Sequence, residues 1–453
     1  MKISVIGCGY LGAVHAASMA ALGHEVVGVD VDEHKVNMLA AGHPPFFEPG
    51  FAELLSEQLD SGRLRFTIDM SEVGDCPAHF LAVGTPQIKG GQAADLTYLH
   101  AAVEALTPHL QPASVVIGKS TVPVGTAAEV AETVAFTGAI VAWNPEFLRE
   151  GFAVQDTLSP DRLVYGLPSG SVGVIAKHVL DTVYADLLER DTPVIATDHQ
   201  TAELVKVSAN AFLATKISFI NSMAEIAEAV DADITELADA IGYDARIGRR
   251  FLNAGVGFGG GCLPKDLRAF AARAEELGRG DSVAFLKEVD TINLRRRERV
   301  VKLVLDALGG EPHGRRVAVL GLAFKPESDD VRDSPALDVA VRLKGLGIEV
   351  VATDPEAIEN AARLHSQLSY EQDLLTAVTG ADATVLVTEW AQYQHIDPEI
   401  LGNRVNRRVL IDARNCVDRA RWMMSGWEVM SMGRRRIAES RARLLARGLP
   451  VGP

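Results

Sequence analysis

A single cysteine follows a glycine-rich run in the segment GVGFGGGCLPKD, residues 255–266. Proline at position 264 suits the first turn of the helical pattern PKDLRAFAARAEEL, which places Cys262 close to a helix N-terminus. There the helix dipole and the nearby Lys265 would stabilise a thiolate. Asp266 follows about one helical turn later and could orient a water or the thiol. These residue types favour a nucleophilic cysteine, and a buried inert cysteine is the alternative.

Two other interpretations of the glycine run are weaker. A phosphate-binding P-loop needs Lys-Ser/Thr directly after its last glycine, whereas Gly261 is followed by Cys262. The cysteines at positions 8, 76, 262 and 416 are scattered without a CxxC pair, so we expect neither a metal site nor a disulfide framework. This cysteine usage is typical of a protein of the reducing cytoplasm.

A second pair of polar residues lies in the helical pattern ELVKVSANAF. Lys206 and Asn210 are four positions apart and therefore share one helix face. Their neighbours are apolar, and removal of the lysine from water would lower its pKa toward that of a general base. A surface lysine whose amine reaches solvent is the alternative.

Further polar residues come directly after predicted strands. Thr85 follows HFLAVG, Thr121 follows SVVIGKS, and Glu146, Arg149 and Glu150 follow AIVAW. Ligands of doubly wound sheets bind outside the carboxyl ends of the strands, so these side chains are candidates for a binding site. Turn-forming threonines and a solvated surface cluster of charges are the alternatives.

The N-terminal segment VIGCGYLG contains the pattern of a dinucleotide-binding turn. Gly7 would make the tight turn, Gly9 would let the backbone approach a pyrophosphate, and Gly12 would let the helix pack on the sheet. Asp30 ends the next predicted strand, where a carboxylate accepts from a ribose hydroxyl and repels a 2′-phosphate. The segment therefore predicts NAD rather than NADP, with a purely structural turn as the alternative. A nicotinamide cofactor beside a thiol can oxidise an aldehyde through a thiohemiacetal and a thioester.

The elements that would position these residues form three regions. Apolar strands alternate with helices over residues 1–197, helical patterns fill 198–308, and strands resume over 309–433 before a basic tail at 434–453. The second strand-rich region repeats the first, since VLGLAF and EVVATDP parallel VIGCGYLG and EVVGVDV. We therefore predict an α/β fold with two Rossmann-like doubly wound domains joined by a central all-helical domain.

Composition restricts the partners. The 453 residues are 47% hydrophobic and carry a net charge of −16, which disfavours nucleic acid and anionic membrane surfaces as partners. We find no apolar run long enough to span a membrane.

In this set of motifs the chain resembles the UDP-glucose/GDP-mannose 6-dehydrogenase family from Met1 to about residue 430. The resemblance rests on VIGCGYLG, STVPVGT, NPEFLREG, ELVKVSANAFLATKISFIN, ARIGRRFLNAGVGFGGGCLPKD and GLAFKPESDDVRDSPA.

The resemblance implies oxidation of a sugar C6 hydroxyl to the acid with two NAD. ARIG and ATKISFIN favour UDP-glucose and hence UDP-glucuronate as product. Gly261 and Leu263 replace the usual serine and phenylalanine, so GDP-mannose or a UDP-N-acetyl sugar is the alternative. A non-catalytic NAD-binding regulator and a hydroxyacid dehydrogenase are hypotheses from other classes.

The resemblance also implies roles for individual residues. The catalytic group comprises Cys262 as the thiol, Lys206 and Asn210 at the substrate oxygen, Asp266 and Thr121 at a water, and Glu146 in thioester hydrolysis. The NAD group comprises Gly7, Gly9, Tyr10, Leu11, Gly12, Asp30, Lys35, Thr85, Thr121, Glu150, Lys265 and Arg332. The sugar-nucleotide group comprises Glu146, Phe147, Leu148, Arg149, Lys206, Asn210, Phe251, Leu252, Asn253, Ala254, Gly255, Gly259 and Lys325. Arg246 would reach a neighbouring subunit's site, which implies a homodimer or a larger homo-oligomer through the central helices.

Overall fold

A computed structural model describes residues 1–434, so the predicted basic tail lies outside the described residues except for Arg434. The chain divides into two compact units. The first unit consists of Met1–Asn210 and Lys265–Val283, and the second consists of Ala211–Pro264 and the chain from Ala284 onward. No helix within the described residues is both long enough and apolar enough to cross a membrane.

Within the described residues, the first unit contains one sheet of eight strands. The strands are β1 (Lys2–Ile6), β2 (Glu25–Val29), β3 (Leu64–Thr67), β4 (Ala78–Leu81), β5 (Val115–Gly118), β6 (Ile140–Trp143), β7 (Leu163–Gly166) and β8 (Val194–Thr197). They lie in the order β3-β2-β1-β4-β5-β6-β7-β8. Neighbouring strands are parallel except β6 and β7, where Trp143 pairs with Gly166 in an antiparallel bridge.

Helices lie on both faces of this sheet, which explains why its central strands β4, β5 and β6 are buried along their whole length. They are α1 (Tyr10–Ala21), α2 (Glu33–Ala40), α3 (Phe51–Asp60), α4 (Thr97–Leu106), α5 (Thr126–Val134), α6 (Ala153–Leu158), α7 (Ser171–Val183) and α8 (Ala185–Glu189). Alternate residues of β5 point to opposite faces: Val115 and Ile117 pack in a core with residues of α1, α3 and α7. Val116 packs in a separate core with residues of α4 and α5.

Long helices fill the central region of the chain. They are α9 (His199–Val230), α10 (Ile234–Gly242), α11 (Leu263–Glu276) and α12 (Phe285–Ala307). The division into two units falls inside α9, after Asn210, and again near the beginning of α11. The region predicted to be all-helical is therefore helical, and the exact domain boundaries at 197/198 and 308/309 stay predictions.

The second unit contains a parallel sheet of six strands within the described residues. The strands are β9 (Arg316–Leu320), β10 (Glu349–Thr353), β11 (Ser369–Tyr370), β12 (Ala383–Leu386), β13 (Val409–Asp412) and β14 (Glu428–Ser431), in the order β11-β10-β9-β12-β13-β14. The helices of this region are α13 (Pro335–Gly345), α14 (Ile358–Leu364), α15 (Leu374–Val378), α16 (Ala391–Gln394), α17 (Pro398–Gly402) and α18 (Arg419–Met424).

The predicted fold class is confirmed, because two mostly parallel sheets lie on either side of a helical stretch in the sequence. The sequence analysis did not identify β3, β7, β8, β11 or β14. β3 and β8 are partly exposed, and β3 also lacks the continuous apolar run by which the buried strands were recognised. β7 is buried and as long as β4, β5 and β6, but it pairs with β6 through a single antiparallel bridge.

Candidate active site

The turn between β1 and α1 has the geometry that a dinucleotide needs. Gly7 adopts φ +88° and donates its N–H to the Val29 carbonyl at 2.8 Å, which makes the tight turn. A Cβ on Gly12 would lie 1.8 Å from the Gly7 carbonyl oxygen, so only glycine lets α1 pack this closely. A Cβ on Gly9 would have no neighbouring atom within 4 Å, as expected where a ligand approaches the backbone. Gly7 and Gly12 therefore have the turn geometry and the close packing expected of them, and the approach of a pyrophosphate to Gly9 stays a prediction.

Asp30 lies directly after β2 and is 8% exposed. Its carboxylate accepts the Cys8 N–H of the glycine turn at 2.7 Å and the Lys35 amine at 3.1 Å. It is thus fixed beside the N-terminus of α1, where a cofactor ribose would lie when the pyrophosphate binds the helix. The residues present fit NAD.

Glu48 is a residue of this region that the sequence analysis missed. Its carboxylate accepts the Tyr10 hydroxyl and the Gly151 and Ala153 N–H groups, the last two at 2.6 Å each. Tyr10 is therefore held by a buried carboxylate, and it ties the glycine turn to the loop that precedes α6. An acidic residue in the run HPPFFEPG gave no signal of this function from the sequence alone.

Lys206 is buried and paired with a carboxylate. Its side chain is 7% exposed, and its amine lies 3.0 Å from Glu146 Oε1 and 5.4 Å from the centre of the Phe147 ring. The second Glu146 oxygen accepts the Leu148 N–H at 2.7 Å. The alternative of a solvent-exposed lysine is wrong, and the ion pair joins two residues that the sequence placed on separate elements.

The next polar cluster surrounds Asp266 on the first turn of α11. Asn210 donates its amide to Asp266 Oδ2 at 2.7 Å, and Lys265 donates to Oδ1 at 2.5 Å. Asp266 is 3% exposed and Asn210 is 9% exposed, so the amide and the carboxylate fix each other's orientation away from bulk water.

The predicted strand-end threonines lie against this cluster. Thr85 donates its hydroxyl to the Thr121 carbonyl at 2.7 Å. Both residues line a small pocket of the first unit together with Lys265 and Asp266. The first unit therefore brings together four residues that the sequence spreads over 182 positions, from 85 to 266.

Cys262 is exposed and directly precedes α11, which excludes the buried inert alternative. Its loop is packed in the second unit: Gly260 has φ +86° and donates its N–H to the Arg332 carbonyl at 2.9 Å. A Cβ on Gly261 would lie 2.4 Å from the guanidinium carbon of Arg332. A larger residue at position 261 would therefore displace the guanidinium of Arg332, whose side chain is 63% exposed.

The predicted sugar-nucleotide residues of the second unit form an ordered loop. Phe251 adopts φ +66°, an uncommon conformation for an aromatic residue that the surrounding structure must hold. Gly255 donates its N–H to Asn221 Oδ1 at 2.9 Å, and a Cβ on Gly259 would lie 2.3 Å from the Asp333 carbonyl oxygen. Lys325 lies above the Phe324 ring.

Two predicted arginines bond to carboxylates that the sequence analysis did not consider. Arg149 donates from Nε and from its second amino group to the two oxygens of Asp156, at 2.8 and 2.7 Å. Arg246 bonds to Asp244 while its side chain stays 89% exposed. The described contacts of the single chain thus leave the guanidinium of Arg246 at the surface.

Arg414 is another residue missed from the sequence. It donates to the carbonyls of Gly257 and Phe324 at 3.0 and 3.1 Å, and so joins the cysteine-bearing loop to the segment that carries Lys325. Its position directly after the apolar strand RVLIDA was the available signal, since polar residues at that end of a parallel strand belong to the binding edge.

Comparison with known proteins agrees with this geometry. Three models of the UDP-glucose/GDP-mannose dehydrogenase family match: the NAD binding domain at residues 1–188, the central domain at 200–295 and the UDP binding domain at 318–419. The chain belongs to the UDP-glucose/GDP-mannose dehydrogenase family. It is therefore an NAD-dependent dehydrogenase with a nucleotide-sugar substrate.

Individual members of the family resemble the chain over nearly its whole length. The UDP-glucose 6-dehydrogenase of Rhizobium meliloti is 41% identical over 96% of this chain and 100% of its own. A solved UDP-glucose dehydrogenase from Pyrobaculum islandicum superposes with a TM-score of 0.86 at 38% identity, covering 95% of this chain and 96% of its own. A UDP-D-ManNAc dehydrogenase from Pyrococcus horikoshii gives a TM-score of 0.82 at 26% identity, covering 96% and 99%.

Proposed function

We propose that the protein oxidises the C6 hydroxyl of UDP-glucose to the acid, UDP-glucuronate. The observation that carries the proposal is an exposed thiol at the start of α11, in a chain that also has a dinucleotide turn. An alcohol dehydrogenase that stops at the aldehyde has no need of a thiol, whereas oxidation to the acid proceeds through a thioester.

The chain's own residues supply the proton transfers and the covalent step. Lys206 takes the proton of the C6 hydroxyl, and Asn210 holds the oxygen. Loss of a hydride from C6 then gives the aldehyde. The Cys262 sulfur adds to the aldehyde carbon while its proton passes to the carbonyl oxygen, and loss of that proton and of a second hydride turns the thiohemiacetal into a thioester. Water cleaves the thioester and releases the acid and the thiol. NAD, bound at the glycine turn, supplies the acceptor for each hydride.

Hydrolysis of the thioester needs a water that is oriented and deprotonated. Asp266 is bonded to Asn210 and Lys265, which supports a role in orienting that water with Thr121. Glu146 is held by Lys206 and by the Leu148 N–H, and we assign to it the proton acceptance in this step.

UDP-glucose is the substrate that we propose among the nucleotide sugars of the family. The identity of 41% with a UDP-glucose 6-dehydrogenase supports it. A UDP-N-acetyl sugar is the second candidate, which the likeness to a UDP-D-ManNAc dehydrogenase favours. The ratios of kcat/KM for UDP-glucose, UDP-N-acetylmannosamine and GDP-mannose decide between them.

The thioester route predicts two NADH for each UDP-glucose consumed and no acid from Cys262→Ala. NADH absorbance and chromatography of the nucleotide sugars measure both. Cys416→Ala is the matched control, because Cys416 is a half-buried thiol beside Asp412 at the end of β13. One NADH per sugar, or full acid production by Cys262→Ala, contradicts the proposal.

We also propose that the protein is a homodimer or a larger homo-oligomer built on α9. Phe212, Phe219, Ile226 and Val230 recur at helical spacing on this helix and are 67%, 49%, 56% and 66% exposed. An apolar stripe of this kind fits a second copy of the same helix. Phe219→Glu should lower the mass in analytical ultracentrifugation, whereas Phe136→Glu, at an 82% exposed site in the first unit, should not.

We propose the cytoplasm as the location. A nucleophilic Cys262 works only as a free thiol, and the reducing cytoplasm keeps thiols in that state. Thiol titration of the protein in freshly lysed cells tests this, and an oxidised Cys262 there contradicts it.

A further inference from the structure

A buried lysine that the proposed chemistry does not use lies close to the Lys206–Glu146 pair. Lys119 directly follows β5 and is 7% exposed. Its amine donates to Asn144 Oδ1 at 3.1 Å and lies 3.4 Å from the Tyr184 hydroxyl, which itself donates to Asn144 Oδ1 at 2.7 Å. Both hydrogen-bond partners of the amine are neutral, so among residues 1–434 no carboxylate is in direct contact with this buried ammonium group.

Asn144 connects this lysine to the candidate active site. Its N–H donates to the Gly118 carbonyl at 2.8 Å, and its side-chain amide donates to the Val164 carbonyl at 2.9 Å. The residue is thereby fixed to the strands on both sides of β6. Glu146 is only two positions further along the chain, so the orientation of Asn144 determines where the Glu146 segment leaves the sheet.

Glu146 and Lys206 are the charged groups that act on Lys119. Burial lowers its pKa to about 8, the Glu146 carboxylate acts in the opposite direction, and the Lys206 ammonium lowers the pKa further. His15 on α1 also faces this lysine, and burial holds the pKa of His15 well below its usual value, so this imidazole is neutral. Burial raises the pKa of Tyr184 far above its usual value, so the phenol is neutral too.

We propose that Lys119 is a positioning residue for the oxidation. Through Asn144 it holds the Glu146 segment, and its positive charge favours the neutral amine of Lys206. This inference rests on the proposed function, in which Lys206 acts as a base and Glu146 as a carboxylate. A second cation near an amine favours the neutral amine, which is the form that a base needs.

The test compares Lys119→Met with Lys119→Arg and with Lys177→Met, which removes an exposed lysine of α7 that pairs with Asp181. In Lys119→Met the acidic limb of the pH profile of kcat should move to higher pH by about one unit. Loss of a nearby positive charge raises the pKa of a partly buried amine by about this much. Lys119→Arg keeps the charge and should restore the limb, and Lys177→Met should leave it in place. Tyr184→Phe removes one hydrogen bond to Asn144 without changing the charge, and should lower kcat without moving the limb.

A second readout does not depend on turnover. In protein labelled with ¹³C at the lysine ε-carbon, the Lys206 signal, assigned with Lys206→Arg, should titrate about one unit higher in Lys119→Met. If wild-type protein oxidises no nucleotide sugar, the proposed function fails while this titration still tests the inference. An unmoved Lys206 titration, or an acidic limb that stays in place while kcat falls, overturns the inference.

Discussion

The first six strands of the first sheet have the same connectivity as the six strands of the second sheet, but the first turns of the two sheets differ. In each sheet the first strand lies between the second and the fourth. Gly7 and Gly321 follow these first strands with φ +88° and +103°, and each donates its N–H at 2.8 Å to the last residue of the second strand. Asp30 and Asp354 then follow the second strands in equivalent places.

The two turns differ in the segment that follows the glycine. In the first sheet α1 begins at Tyr10, three positions after Gly7, so the helix N-terminus faces the end of the strand. In the second sheet α13 begins at Pro335, and a loop of thirteen residues, from 322 to 334, takes the place of the short turn. That loop carries Lys325 and Arg332.

The two aspartates differ accordingly. Asp354 is 1% exposed and accepts the N–H groups of Leu322 and Ala323 and the Trp390 indole N–H. It accepts two further N–H groups from the residues that follow it. Asp354 therefore fixes the inserted loop, whereas Asp30 bonds to fewer buried groups and lies at the edge of the sheet where we predict that a ribose binds. One connectivity therefore supports a short glycine turn in one sheet and a thirteen-residue loop in the other.

The largest expected effect comes from Asp354→Ala. Removal of the carboxylate leaves several buried N–H groups without an acceptor, so we expect a loss of about 4 kcal/mol in the free energy of unfolding of the second unit. Urea denaturation monitored by tryptophan fluorescence measures it. Asp30→Ala should cost clearly less stability, and equal losses in the two variants would remove the distinction between a loop-fixing aspartate and a ligand-facing one.

The fifth strand of each sheet ends at a buried charge, and these charges have opposite signs. Lys119 has its pKa lowered from 10.5 to about 8 by burial, so the unfolded chain binds more protons between these values. Its contribution to the unfolding free energy therefore rises with pH in that window, by at most about 3 kcal/mol for about 2.5 pKa units. Lys119→Met should exceed the wild type in stability below pH 8, with an advantage that vanishes by about pH 10.5.

Asp412, the last residue of β13, should show the reverse dependence. Burial raises its pKa above 3.8, so the folded chain binds more protons as the pH rises from that value. The stability of the wild type relative to Asp412→Asn should then fall with increasing pH. Denaturant titrations of both pairs across pH give the two slopes, and slopes of the same sign would show that burial does not control these charges.

A smaller effect is expected from alanine substitution of Gly12 in α1 and Gly345 in α13. Gly12→Ala places a Cβ 1.8 Å from the Gly7 carbonyl oxygen, so α1 must move away from the turn. We expect a loss of about 2 kcal/mol in stability and at least about tenfold in NAD affinity. Gly345→Ala in α13 meets no atom within 4 Å and should be neutral or stabilising. Calorimetry of NAD binding and thermal unfolding measure both, and an unchanged NAD affinity in Gly12→Ala would show that the helix position does not matter.

The sequence predicts the elements of the binding edges better than their contacts. The strand, glycine turn, helix and terminal aspartate of the first unit were predictable because each has a local requirement: a positive φ, a close approach or an apolar run. Asn210, Lys206 and Asp266 were recognisable as candidates from apolar neighbours and helix position. Their partners were not, because the bonds Lys206–Glu146 and Asn210–Asp266 join residues 60 and 56 positions apart.

The missed residues share a physical reason. Glu48, Lys119 and Arg414 act through bonds to groups on other elements of the fold, and such bonds leave no periodic pattern in the sequence. The internal symmetry between the two halves predicted a second sheet of the same kind. It could not predict that Asp354 would hold a thirteen-residue loop, since that depends on where α13 begins.

The smallest effect tests the ligand-facing aspartate itself. Asp30→Asn keeps the size of the side chain and removes its charge, so the bond to a ribose hydroxyl weakens and the repulsion of a 2′-phosphate disappears. We expect NAD affinity to fall about tenfold, about 1.4 kcal/mol, and NADP affinity to rise, so that the preference for NAD narrows. Asp32→Asn is the matched control. It removes the same charge two positions away, from a carboxylate that caps α2. Calorimetric titration of both variants with both cofactors separates the local bond from the general loss of negative charge. If the two variants narrow the preference for NAD over NADP equally, Asp30 has no special contact with the ribose. Asp30 and Asp354 then differ only in the backbone groups that each one binds.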